Sequence, residues 1–571
     1  MRRKTLWFLI VVAFALVASA CSSDDGGDVV VVVTTTEAGA TTTAAPTTTT
    51  STRAPDPAFV GNVLASEGCD NYDGRVDTIT AVDEFTVEFA LCGAHPAFLA
   101  QIAFGVFGIQ SEENLNATGG APLDNPVGTG AYALKEWVRG DSVIYERFDD
   151  YYGTPAAAST LVLKWATESA GRLLELQSGT GDGMTFPGVQ DYATIIGDPN
   201  LELLDKPEPN IFYMGFTNTF APWDNVDVRT AVALGIDRQR IVDAFYPPGS
   251  GPASHFTPCS VELGCEGPSW YDFDPAAAKT LLGTAGFPDG FETTIYYRDV
   301  TRGYLPTPGL VAADIQAQLK ENLNIDAAVV VMESGEFIQT SSAGGLDGIH
   351  LLGWTGDYPH VTNFLDFHFA ETNLQFGDPY QAIYTPLKTA SETASTTVAA
   401  PLYDEANTAI KDLVPMVPIA HAGAAFGAIA GIDGSYAPPW GQLELRLWDN
   451  GTDTMVFVQG NEPISLYCAD ETDGESLRAC AQVIEALYSY TTDGQVQPQL
   501  ATACVPDELL TVWTCSLRQG VLFHDGTTFD ANDVVASFAA GLDASSPNHV
   551  GNSCVFEYYD YLWNGLINTE G

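Results

Sequence analysis

Residues 76 to 91, Val-Asp-Thr-Ile-Thr-Ala-Val-Asp-Glu-Phe-Thr-Val-Glu-Phe-Ala-Leu, alternate apolar and polar side chains and break at Asp83-Glu84. A period of two with an acidic turn in the middle predicts a hairpin with one buried face. A second alternating pair starts at the glycine-punctuated turn Asn125 to Tyr132 and ends at Arg147, before Asp149-Asp150-Tyr151-Tyr152-Gly153. The period then lengthens: apolar Val228, Val232 and Ile236 mark one stripe of a helix over Val226 to Arg238. Pro275 near the start and Gly286 past the end bound another helix over Ala276 to Ala285. Val311 to Leu323 predicts a third, followed by a Val-rich strand. Leu445 to Trp448 and Met455 to Val458 read as two strands of a hairpin, because Asn-Gly in the connecting Asp449 to Thr452 accepts positive φ readily. The apolar run Gly348 to Leu352 ends in Gly353-Trp354 and passes into Thr355-Gly356-Asp357-Tyr358-Pro359. A strand that ends in an indole and an acid on irregular backbone fits a ligand cleft, the ring covering apolar surface and Asp357 facing a cation; a loop with a helix-capping Asp fits the same residues.

Composition narrows the class. The 571 residues, 46% hydrophobic and 11% aromatic, suffice for two or three domains with a sizeable core. Acids outnumber Lys and Arg by 73 to 23, for a formal charge of -50. That field repels nucleic acid and anionic lipid and favours solubility. There is no GxSxG, HExxH or phosphate-binding loop, which argues against a hydrolase.

The N-terminal residues set the compartment. Arg2, Arg3 and Lys4 precede the apolar run Leu6 to Val17, and Ala18-Ser19-Ala20-Cys21 follows, the pattern of a signal peptide over residues 1–20. Small residues before a Cys resemble a bacterial lipobox, which implies cleavage before Cys21, its lipidation, and a membrane-anchored, extracytoplasmic protein at the outer face of the cytoplasmic membrane. The Thr-rich residues 21–56 read as a flexible tether with a reach of roughly 30 Å. The valines Val29 to Val33 have no physical explanation within it. In an oxidising compartment the nine cysteines after Cys21 are expected to pair. Nearness in sequence suggests Cys259 with Cys265, Cys468 with Cys480, Cys504 with Cys515 and Cys69 with Cys92; Cys554 is left over and is an alternative partner for either member of the last pair.

Several segments together resemble a known family. Pro126-Val127-Gly128-Thr129-Gly130-Ala131-Tyr132 with its following strands, Tyr213 to Asn218, the helix Asp227-Val228-Arg229 to Asp237-Arg238, Tyr271 to Pro275 and Val414 to Pro418 are similar, in order, to the solute-binding proteins of ABC importers for peptides, nickel and related solutes, extracellular family five. Segments that resemble the beginning of other members come last: Glu462-Pro463-Ile464-Ser465-Leu466, Gln482 to Leu487 as their first helix, Leu517 to Gly526 as their hairpin and Asp533 to Phe538 as the next helix. One set of parts in rotated order implies a circularly permuted chain.

The resemblance implies an α/β, two-lobed periplasmic-binding-protein-like fold of type II, with an extra subdomain in lobe I, closing on solute by hinge motion. Lobe II would be residues 210–421, and lobe I residues 57–209 and 422–571. It further implies that Arg302, within Val300 to Pro306, pairs with a peptide carboxylate, that Asp357 takes the ammonium, and that Trp354 stacks on the peptide, with Gly353, Thr355, Thr301, Tyr358, Leu466 and Tyr467 around them. A bidentate guanidinium and a desolvated Asp would select a zwitterion. Expected partners are a peptide and separate permease and ATPase chains; the protein itself is expected to be a monomer, without cofactor or nucleic acid. Alternatives are an oligosaccharide or a nickel or other metal chelate as solute, and a sensing receptor not coupled to uptake. His360, His368 and Asp366 are a weaker candidate metal set. Tyr558, Tyr559, Tyr561 and Trp563 read as packing residues.

Overall fold

The computed structural model describes residues 59–569 except Asp73, Glu208 and Gln442; the signal segment, Cys21 and the tether lie outside them. Three sheets dominate, of six, seven and five strands. The six-stranded sheet draws every strand from residues 210–421, in the order Gly251–Pro252, Met416–His421, Asn210–Phe216, Ile349–Thr355, Glu292–Arg298, Asp326–Met332. Its last two strands are parallel and joined by the helix Pro308–Leu323, which packs on both. The seven-stranded sheet takes Tyr132–Val138, Ser142–Arg147, Thr160–Trp165, Gly183–Thr185 and Leu201–Lys206 from one side of that segment, and Ala424–Ile429 and Thr454–Gln459 from the other. The five-stranded antiparallel sheet combines Val63–Ala65, Val76–Asp83 and Thr86–Leu91 with Ala501–Pro506 and Val512–Leu517. The fold is thus two-lobed α/β, and residues 501–517 share a sheet with residues 63–91.

Local rules account for most elements. In the first hairpin Val76, Ile79, Val87 and Phe89 are fully buried while the alternate positions are not. The helix Val226–Gly235 starts at Asn225, whose side chain accepts the Asp227 N–H, and buries the stripe Val228, Ala231 and Val232. Its Arg229 is buried too; the guanidinium donates to the Leu413 and Val414 carbonyls at the end of helix Thr396–Leu413, where a cation satisfies free carbonyl groups. The four pairings expected from nearness all form, and among the described residues no cysteine is free, Cys554 included.

Two expectations fail. Leu445–Leu447 is a single 3-10 turn rather than a strand; a three-residue period puts Leu445 and Trp448 on one side, and both are buried. Thr454–Gln459 then pairs in parallel with Thr160–Trp165 and Gly183–Thr185 instead of folding back as a hairpin. Gln482 to Leu487 is not a helix either: the helix is Gly474–Cys480, followed by a turn through Val483 and irregular backbone up to Leu487.

The neighbours of that segment hold it in place. The Val483 carbonyl accepts the Gly130 N–H at 2.9 Å, and a Cβ on Gly128 would lie 2.0 Å from the same oxygen. From the other side His524 clasps the turn: its N–H donates to the Gly128 carbonyl at 2.9 Å and its Nε2 to the Gly130 carbonyl at 2.8 Å. The proton on Nε2 leaves Nδ1 to face the Gly128 N–H at 3.4 Å, and burial, which lowers the imidazole to about 4, keeps it neutral. Gly128→Ala is therefore expected to cost about 1–3 kcal/mol, as overpacking against rigid backbone does. Denaturant unfolding checks this, with an unchanged midpoint as the contrary result.

Candidate functional site

The strand Ile349–Thr355 runs in the middle of the six-stranded sheet, between Asn210–Phe216 and Glu292–Arg298. Gly353 is small of necessity: a Cβ there would meet the Ile211 carbonyl at 2.3 Å and the Tyr304 ring at 2.4 Å. Beyond the strand, Gly356 fits beneath Trp440 and Phe364, which a Cβ would approach to 2.7 and 2.8 Å. The loop is thereby pressed between Phe364 and Trp440.

One buried amide organises the loop. Asn363 Oδ1 accepts the Trp354 indole N–H at 3.1 Å and the Asp357 backbone N–H at 2.9 Å, while Nδ2 donates to Asp357 Oδ2 at 3.1 Å. Trp354 stacks on Phe367 with ring centroids 4.7 Å apart, and Tyr561 closes on both at 6.1 and 5.1 Å. Tyr561 and Tyr558 belong to the helix Glu557–Leu562 near the other end of the sequence, and the Tyr558 hydroxyl donates to the Asp357 carboxylate. Burial raises Asp357 to about 6, against the pull of the hydrogen bonds from Asn363 and Tyr558.

Beside this cluster lies a cavity of about 720 Å³ between the lobes, whose lining includes Arg75, His95, Tyr358, Asn363, Asp366 and Tyr561. That volume is in the range of sites that enclose small ligands. A smaller hollow of about 70 Å³ opens beyond Trp440 and Tyr490, with Glu444, Arg446 and Glu485 in its walls. Glu485 is held by the Tyr151 hydroxyl at 2.7 Å, Thr129 at 2.8 Å and Gln499 at 2.9 Å, and burial raises it to about 7.

The residues singled out from the sequence divide. Gly353, Trp354, Asp357 and Tyr358 come together at the strand end, Tyr358 alone of them lining the cavity and Thr355 being exposed. Thr301 and Arg302 sit on an exposed turn bridged to Leu305, the guanidinium donating to the Thr301 carbonyl at 3.1 Å, and neither lines the cavity. Leu466 and Tyr467 need correcting: they are 0% and 1% exposed, Tyr467 packing on Phe556, and have no surface to offer a solute. The metal set dissolves as well. His368 Nδ1 faces the Phe364 carbonyl at 2.8 Å, His360 Nδ1 faces Thr362 Oγ1 at 2.8 Å, and these residues form no ligating group among the described ones. The groups of ligating type that do occur, around Cys259 with Cys265 and Cys69 with Cys92, have their sulfurs in disulfides. Of the C-terminal aromatics, Tyr559 and Trp563 are core as expected, but Tyr558 and Tyr561 face the cleft. Asn363 and Arg75 carried no sequence signal: an Asn six residues after an Asp and an Arg before a strand are common.

The chain is similar to known proteins in sequence and in fold. A family model described as bacterial extracellular solute-binding proteins, family 5 Middle, matches residues 31–376 and 495–554. A dipeptide-binding protein of Escherichia coli (strain K12) is 29% identical over 61% of this chain and 66% of its own length. Heme-binding protein A of Haemophilus influenzae is 28% identical over 60% of this chain and 64% of its own. The chain thus covers a little under two thirds of each relative. The crystal structure of a dipeptide binding protein from Pseudoalteromonas sp. SM9913 in complex with Met-Leu superposes with a TM-score of 0.55 at 26% identity, over 67% of this chain and 77% of that one.

The buried ionisable groups set a pH profile for stability. Burial lowers all eight histidines, His350 to about 3 and His360, His368, His421 and His524 to about 4. Burial also raises carboxyls: Asp357 to about 6, Asp366, Glu471 and Glu485 to about 7, and Asp533 to about 8. As pH falls from about 8, the folded state takes up carboxyl protons that the unfolded chain still refuses, so stability rises. Below about 6.5 the unfolded histidines protonate and the folded ones do not, so stability falls. The melting temperature is expected to peak between about pH 6 and 7 when scanned in salt high enough to screen the acidic surface; a curve still rising at about pH 8.5 would contradict these assignments.

Proposed function

The chain belongs to family 5 of the bacterial extracellular solute-binding proteins, which makes it a binding protein and not an enzyme, and on that premise we propose that it captures short peptides between its two lobes. The observation that carries this reading is Asp357, a carboxylate withdrawn from water, close to Trp354, Tyr558 and Tyr561, beside a cavity of about 720 Å³. A desolvated carboxylate is stabilised by a cation, and the amino end of a peptide supplies one together with a planar backbone that lies well on an indole. The dipeptide named for the Escherichia coli relative and the Met-Leu bound in the Pseudoalteromonas structure support this class of solute. A bulkier solute, such as a metal chelate, is the second reading, favoured by the relative named for heme.

In the proposed cycle residues 210–421 act as lobe II and the flanking residues as lobe I, closing on the solute by rotation about the crossings between them. The loaded protein delivers its peptide to an ABC permease whose subunits are separate chains, while an acylated Cys21 keeps it at the outer face of the cytoplasmic membrane. The family match in two separated pieces, with strands from both flanks sharing the seven- and five-stranded sheets, supports a circularly permuted order of the parts.

Mass spectrometry of solute released from the purified protein is expected to return short peptides. In calorimetric titration Asp357→Asn is expected to weaken dipeptides with a free amino end by about 10- to 100-fold, the worth of a hydrogen bond between charged groups. N-acetylated dipeptides are expected to bind the native protein as weakly as the variant. A released chelate or oligosaccharide, with Asp357→Asn binding it unchanged, would overturn the proposal.

A further inference from the structure

The cavity is lined by one half-buried guanidinium, that of Arg75. Arg75 lines it from the strand-entry side of the five-stranded sheet, half-buried, and a short chain of hydrogen bonds sets its orientation. Gln101 Nε2 donates to the Leu562 carbonyl at 3.1 Å, so its amide oxygen faces the other way and accepts from His95 Nε2 at 2.9 Å. With the proton on Nε2, His95 Nδ1 has a lone pair, and Arg75 Nη1 meets it at 3.4 Å. His95 is fully enclosed, and burial, then the neighbouring Arg75, holds it neutral, so it directs the guanidinium without competing for an anion.

Among the described residues no carboxylate neutralises this charge, since none comes within 4.0 Å of the Arg75 guanidinium. Asp366, across the cavity, acts on it only from beyond that distance, and burial raises Asp366 itself to about 7. Lys388 also reaches the cavity but is exposed, without a comparable brace. Arg302, the arginine that the family likeness points to, lies on an exposed turn outside the cavity.

We infer that Arg75, braced by His95 and Gln101, is the anion-binding residue of the cleft and takes the carboxylate end of the bound solute. The planar fork of a guanidinium suits a carboxylate through two parallel hydrogen bonds, and one held by a neutral acceptor has most of its donors to spare. For a peptide, the inference rests on the reading that assigns the amino end to Asp357; Tyr358, the next residue in the chain, lines the cavity together with Arg75.

The test compares a dipeptide with its C-terminal amide by calorimetric titration. The native protein is expected to prefer the free acid at least about tenfold, and Arg75→Gln to erase that preference by losing affinity for the acid alone. Retained binding of the amide shows that the variant folds, and Arg302→Gln is expected to keep the preference. A preference that survives Arg75→Gln and vanishes in Arg302→Gln would overturn the inference while leaving the peptide reading intact. If the native protein binds neither peptide form, that reading fails separately, and succinate decides the matter. Stabilisation of the native protein by millimolar succinate that is lost in Arg75→Gln supports the anion site; equal stabilisation of both, or none, refutes it.

Discussion

A single carbonyl oxygen, that of Val483, sets the geometry on which the seven-stranded lobe depends. It lies so near the backbone of Gly128 and Gly130 that neither position has room for a side chain, and His524 holds the turn from the other side. With the Val483 carbonyl taken by Gly130 and the Glu485 carbonyl by the Ile109 N–H, these groups are not free to continue a helix, and the course of the segment carries Glu485 to Tyr151, Thr129 and Gln499. The contact also joins stretches more than three hundred residues apart, so that the final quarter of the sequence is built into the wall of the cleft.

Across the cleft the same economy recurs with a side chain. Asn363 gives its oxygen to two donors and its nitrogen to one acceptor, and in doing so fixes the indole of Trp354 and both ends of Asp357 relative to each other. Polar groups in so dry a place must be matched or they cost stability, which is why one amide rather than solvent does the matching. The helix Glu557–Leu562 adds a further donor through Tyr558, so the acid is shared between two distant parts of the chain.

Much of the fold was legible because it rests on periodicity. The Val76 to Leu91 hairpin, the helices at Val226, Pro275 and Pro308, and the short-range disulfides each follow from spacing within a few residues. Where the reading failed, the deciding contact was distant. Leu445 to Trp448 is apolar enough for a strand, but burial of Leu445 and Trp448 together favours a tight turn; Gln482 to Leu487 has helical composition and a backbone committed elsewhere. The cleft was half legible. Gly353 to Tyr358 announces itself by its composition, whereas Asn363, Tyr558, Tyr561 and Arg75 matter only through neighbours that arrive from other parts of the chain. Leu466 and Tyr467 lie in a recognisable motif whose side chains turn inward.

The central strand of the five-stranded sheet, Thr86–Leu91, has Val76–Asp83 on one side within a few residues, but on the other side needs Val512–Leu517, more than four hundred positions later. Loop-closure entropy must be met before such a partner yields any gain, so the early hairpin waits with an open, hydrogen-bonding edge. A nascent molecule is therefore exposed to mispairing until nearly its whole length has emerged, and kinetic protection of that unfinished edge governs how well it matures.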